Sequence, residues 1–169
     1  MKQGKALRED YEYERKGTCS IFMFTEPLKG WRHVSIKERR TKRDWAEEIR
    51  VLPEEYYPNA KKIRLAMDNL NTHNISSLYE TYPPEIAPGL AKRLEIHYTP
   101  KHGNWLNIAE IELSGMTIQC LDRRIPSIEV LRNEVSAWAT DRNSTTKTVN
   151  WHFDTETARG KLKWLYPKI

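Results

Sequence analysis

Two acids, Asp68 and Glu110, sit where the sequence offers chemistry. Asp68 closes KKIRLAMD (61–68), a short apolar run that reads as a strand. In open α/β sheets ligands bind beyond the carboxyl ends of strands, so a carboxylate there meets solvent or a metal ion. The same residue also suits a turn, because Asp-Asn is a common turn pair. Glu110 falls inside a helix expected over residues 105–121, next to Leu106, Leu113 and Thr117. Glu112 points about 200° away from it on the wheel, so the two cannot serve one site. An acid beside an apolar stripe costs energy unless it is paired or ligates a cation. The competing reading of Glu110 is a boundary residue that reaches water or bonds an arginine. Taken together, an acid after a strand and an acid on a later helix can hold Mg²⁺ through oxygen ligands. Two such ions flanking a phosphodiester would activate the nucleophile and stabilise the leaving oxygen.

Basic residues accompany the pair. Lys92, Arg93, His97, Lys101 and His102 lie before and within the loop that leads to Glu110, and are candidates for phosphate contacts. A solvated basic loop is the alternative. KERRTKR (37–43) reads as a solvated helix start, or else as a second backbone contact. His73 either positions a water or phosphate near Asp68 or satisfies its own loop. Trp105, beside the expected site, is the one tryptophan considered for stacking on a base.

The elements that must carry these residues follow from periodicity. Cys19, Ile21 and Met23 alternate with Phe22 and Phe24, so the strand is apolar on both faces. Residues 27–30 turn the chain, and 31–36 form the second strand of a hairpin. Thr41 caps a helix with Asp44 three residues on, and Pro53 ends it. Asn74 caps a helix through Tyr79, a short helix lies near Leu90, and LEIHYTP (94–100) is another strand. Ser127 caps a further helix with Ile128, Leu131, Val135 and Trp138 on one face. DRNSTTKT (141–148) is a loop, and Asp154 caps a last helix with Ala158, Leu162 and Leu165 buried. This order gives an α/β fold with an antiparallel hairpin and two later parallel strands. Residues 1–17 form a polar leader, and 18–169 one domain.

Composition sets limits on function. The 169 residues are 38% hydrophobic and 30% charged, with a net charge of +5 and a pI near 9.2, which points toward a polyanionic partner without requiring one. No apolar run approaches the roughly 20 residues of a membrane span, and MKQGKALRED has no secretory core. Cys19 and Cys120 lack metal-ligand spacing and read as reduced, buried residues, so the expected location is cytoplasmic.

MDNLNTH (67–73) and HYTPKHGNWLNIAEIEL (97–113) together resemble bacterial insertion-sequence transposases of the mariner superfamily. YEYERKGT, GWRHV, QCLDRRIP (119–126) and a tail with Trp151, Phe153, Ala158, Arg159, Lys161, Leu162, Leu165, Tyr166 and Pro167 extend the likeness over nearly the whole chain. The resemblance implies an RNase H-like catalytic core, a mixed sheet flanked by helices, with an Asp-Asp-Glu or Asp-Asp-Asp metal site. By it, Asp68 is the second acid and Glu110 the third, both holding Mg²⁺ or Mn²⁺. The 41 residues between them suit the branch that carries HYTPKHG. Lys101, His102, Trp105, Lys92 and Arg93 become DNA-binding candidates. The family's first aspartate lies on the first, central strand of the core, upstream of YEYER. Only a polar leader precedes YEYER here, and Asp10 has no apolar strand around it. The expectation is therefore a partial catalytic domain, truncated at its N-terminus and lacking that strand, from a nucleoid-associated DNA endonuclease. Its partners would be transposon ends, target DNA and a second protomer, its own copy or an intact transposase. The competing expectation is an inactive remnant that binds DNA or an intact protomer. An unrelated α/β metal-dependent phosphoesterase is a third.

Overall fold

A computed structural model describes residues 17–99, 108–148 and 154–161. Strand β1 (Ser20–Glu26) pairs antiparallel with β2 (Trp31–Lys37), with Met23 opposite Val34 at the centre of the register. Gly30 closes the turn between them at φ +66°, and a Cβ there would lie 2.7 Å from the carbonyl carbon of Thr146. Only glycine fits both demands.

Helix α1 (Lys42–Val51) starts as the sequence predicts. The Thr41 hydroxyl accepts from Asp44 N–H, and the Asp44 carboxylate accepts from the Thr41 backbone N–H, closing a capping box. Pro53 does not end the helical path. It sits in the first turn of a π-helical segment, Leu52–Tyr56, where its missing N–H removes no needed bond. Strand β3 (Ile63–Met67) then pairs with β4 (Leu94–Tyr98), and the pairing is parallel, as the helical crossover requires. The crossover holds α2 (Ser76–Thr81) and α3 (Ala87–Arg93). Asn74 accepts from Ser76 N–H, so it shapes the turn before α2 and the helix begins later than expected.

Helix α4 (Ile108–Met116) passes into a π-helical segment, Thr117–Leu121, so the helix expected to run to Leu121 widens in its second half. Helix α5 (Ile128–Ser144) is capped by Ser127 and continues through residues expected to form a loop. Asn143 explains the extension. Its side chain accepts from Arg32 N–H and donates to the Arg32 carbonyl, each at 2.8 Å, a pairing 111 residues apart that no local pattern signals. The last helix, α6 (Thr155–Lys161), begins after Asp154, which accepts from Thr157 N–H. The expected burial of Ala158, Leu162 and Leu165 lies outside the described side chains.

The core has two parts, and β1 lies between them. Phe22 and Phe24 face a cluster built from Trp45, Ile49 and Leu52 after the hairpin and Met67, Leu78 and Leu90 around the parallel pair. Ile21 and Met23 face a second cluster of Met116, Cys120, Leu131, Val135 and Trp138. Alternation along a strand places these sets on opposite faces, so α1 covers one face of β1 and α4 and α5 the other. Cys120 is buried and Cys19 partly so, both as free thiols. Among the described residues β1–β2 and β3–β4 form separate two-stranded sheets.

Candidate functional site

Asp68 directly follows the last residue of β3. Met67 is level with Tyr98, and the Thr99 N–H donates to the Met67 carbonyl at 2.9 Å, so both parallel strands end on one line. The Asp68 carboxylate therefore stands at the carboxyl edge of the parallel pair, partly exposed. Its Oδ1 lies 2.7 Å from His73 Nδ1. The His73 ring rests against Trp45 with centroids 6.1 Å apart and against Phe22 at 6.3 Å. Tyr98 Oη donates to the His73 carbonyl. The loop is thus fixed to both strand ends and to α1. Among the described residues, His73 Nε2 is buried without a hydrogen-bond partner. The sequence left His73 between a loop role and a role near Asp68, and the structure places it on the carboxylate.

Glu110 is exposed in the first turn of α4. Ile108 and Ala109, at the start of that helix, border the same cleft as residues 62–66. The expected apolar stripe around Glu110 is corrected. The buried face of this helical path runs through Glu112, Met116 and Cys120, and Thr117 is exposed. The costly acid on an apolar face is Glu112, 2% exposed, not Glu110.

Glu112 is held by arginines. Arg32, also 2% exposed, donates from Nε and Nη2 to its two carboxylate oxygens, and Arg142 Nη2 donates at 3.2 and 3.3 Å. Burial pushes the Glu112 carboxyl up, but the hydrogen bonds and charges of Arg32 and Arg142 outweigh it and leave the pKa below the ordinary value. Remaining Arg32 donors reach the carbonyls of Gly30 and Lys147. A second buried acid, Glu48 of α1, contacts His33 at 2.9 Å and Lys37 at 3.2 Å. Burial raises its pKa too, and the contacts with His33 and Lys37 bring it below normal. The Trp31-Arg32-His33 segment of β2 is therefore an anchoring element. Trp31 packs edge-on against Tyr56 and Tyr57.

The candidate DNA contacts divide. Lys92 is exposed in the last turn of α3. Arg93 is engaged internally: its guanidinium donates to the carbonyls of Pro53, Tyr57, Pro58 and Ala60, tying α3 to the segment after α1. His97 is exposed and contacts Glu95. Within 37–43, Lys37, Lys42 and Arg43 pair with Glu47, Glu48 and Glu80, which favours the solvated helix start. Lys101, His102 and Trp105 lie outside the described residues.

A strand-end aspartate near an acid-bearing helix is shared by many phosphate-handling folds, so comparison decides the family. A family model for DDE superfamily endonucleases matches residues 1–132. The chain belongs to the DDE superfamily endonucleases. No curated protein and no solved structure matches it. The family supports a transposase-type nuclease that acts on DNA with a divalent metal. Hard carboxylate oxygens from Asp68 and Glu110 suit Mg²⁺ or Mn²⁺. Among the described residues no group of three or more His, Cys, Asp or Glu side chains converges on one point. No described helix is long and apolar enough to cross a membrane.

Proposed function

We propose that this DDE endonuclease-family chain is the later part of a bacterial mariner-superfamily transposase core with an RNase H-like fold. In it Asp68 and Glu110 are the second and third metal-holding acids. The observation that supports the reading is the position of Asp68 at the carboxyl edge of a parallel strand pair, with the start of α4 lining a cleft that the same strand also lines. A bound divalent ion would supply charge neutralisation at the scissile phosphate and a water of lowered pKa. Asp68 would present one carboxylate oxygen to that ion while His73 holds the other and fixes the rotamer. Glu110, exposed at the start of α4, would reach the ion from the helical side. Lys92, Lys101 and His102 would contact the phosphate backbone, and Trp105 a base. A first acid must come from a strand outside the described residues, and cleavage waits for it. The protein would act in the cytoplasm at the nucleoid.

Incubation with supercoiled plasmid and Mg²⁺ or Mn²⁺ tests this. The expected result is binding without nicking. Nicking lost in Asp68→Asn and Glu110→Gln would show that a third ligand lies within the 169 residues. Nicking that survives both changes would overturn the site itself.

A further inference from the structure

The turn between β1 and β2 carries Leu28, the most exposed large apolar side chain among the described residues, 85% accessible. Its backbone is nevertheless held on both sides. Pro27 fixes its own φ, and the Lys29 N–H donates to the Glu26 carbonyl at 3.1 Å to close the turn. Tyr57 Oη donates to the Glu26 carboxylate at 2.7 Å, and Lys29 Nζ lies 2.8 Å from the same carboxylate. On the other flank Arg32 Nη1 donates to the Gly30 carbonyl at 2.7 Å, and Gly30 is seated against Thr146. The tip is therefore braced by the segment after α1 and by the residues after α5, and it presents a leucine outward on a stiff stem. Basic residues stand beside it. Pro27 and Lys29 border the same cleft as Lys62 and Arg64. Lys61, Lys62 and Arg64 are exposed, and Lys29, though paired with Glu26, keeps 68% of its side chain accessible. Lys61, Lys62 and Arg64 lie at the start of β3, the end opposite Asp68.

From this geometry we propose that the hairpin tip is a duplex-DNA contact separate from the metal site: Leu28 wedges into a base step while Lys61, Lys62 and Arg64 hold the phosphate backbone beside it. Apolar wedges part stacked base pairs and kink the duplex. Such a wedge needs a stem that does not yield, and the braced turn supplies one. A leucine has no donor or acceptor, so it reads no base edge. It selects steps that open easily, TA above a stiff A-tract. The exposed cations attract phosphates whatever the sequence. The ligand class follows from the family's action on DNA and from this charge. It does not depend on Asp68 or Glu110 holding a metal. An apolar protein surface would cover Leu28 too, but would leave the cations beside it without anions.

The test uses the full chain in EDTA, so that divalent metal plays no part, and synthetic duplexes of about twenty base pairs. One has a central TA step and one an A-tract. Each carries 2-aminopurine at its centre, a base whose fluorescence rises on unstacking. The TA duplex is expected to brighten on binding and to bind about five- to tenfold more tightly than the A-tract. Leu28→Ala, and Leu28→Ser as a second truncation, should remove the brightening and the preference while leaving the salt dependence of binding unchanged. Leu28→Met, of similar volume, should keep both. Lys61→Gln combined with Lys62→Gln should lower the slope of log affinity against log salt by about two and keep the brightening. All these positions are exposed, so the variants are expected to keep the parent melting curve. A parent chain that binds neither duplex, or binds without brightening, overturns the proposal. So does brightening that survives both Leu28 truncations, or a salt slope that the lysine changes leave unmoved. If the Leu28-dependent brightening holds while Mn²⁺ fails to bind at Asp68, the wedge stands and the metal reading falls.

Discussion

Glu110 and Glu112 sit two positions apart and have different surroundings. Glu112 is locked between Arg32 and Arg142, whereas Glu110 is exposed. Removing Arg32 would leave Glu112 buried beside one weaker partner. Arg32→Ala is expected to lower stability by about 3–5 kcal/mol, the usual result of orphaning a buried charge, measured by urea unfolding. Glu110→Gln should change stability by less than about 0.5 kcal/mol. A large loss in Glu110→Gln would place that residue in the framework. The depressed carboxyl pKa values fix a pH dependence as well. Glu112 and Glu48 both titrate below their ordinary value of 4.5 in the folded state. A depressed acid contributes stability that is fully present above its unfolded pKa and is lost as pH falls through its folded pKa. Unfolding midpoints should therefore be flat near neutrality and drop below about pH 4.5, and the drop should shrink in an Arg32→Met, Glu112→Met double variant.

At the scale of elements, the caps at Thr41 and Ser127 match the structure, the stop at Pro53 and the cap at Asn74 do not, and contacts from distant residues leave no local mark. Thr41 and Ser127 announce their helices because a cap involves residues three positions apart. The parallel β3–β4 pairing was legible from the helical crossover between two apolar runs. The extent of α5 was not, because Asn143 is held by Arg32 across the fold. Arg93 carries no local mark of a structural arginine, since the four carbonyls it binds lie more than thirty residues away. The α4 wheel separated Glu110 from Glu112 but put Glu110 beside the apolar stripe, whereas Glu112 faces the core, because the deciding partner, Arg32, comes from the hairpin. Two substitutions probe these anchors by thermal unfolding. Thr41→Ala should cost about 1 kcal/mol by removing the capping box. Gly30→Ala should cost about 1–3 kcal/mol, from the positive φ and the contact with Thr146. A neutral Gly30→Ala would mean that the hairpin turn moves independently of the residues after α5.

For the whole molecule, the family match and the strand-end aspartate agree on a DNA-acting, metal-dependent enzyme class. Among the described residues the strands form two separate pairs, β1–β2 and β3–β4. Strand edges that have no partner among the described residues, next to Phe22 and Phe24, invite edge-to-edge association. The purified chain is therefore expected to self-associate or unfold with low cooperativity, as sedimentation and calorimetry would show. A sharp transition from a stable monomer would mean that the sheet is already closed.

The central claim is that Asp68 and Glu110 hold one metal site. Mn²⁺ titrated into isotopically labelled protein tests it directly, because the ion broadens amide signals near where it binds. The account predicts broadening at residues after β3 and in the first turn of α4 at the same Mn²⁺ concentration, abolished at both places by Asp68→Asn and by Glu110→Gln. Broadening at only one of the two, or at both but unchanged by either substitution, would contradict it.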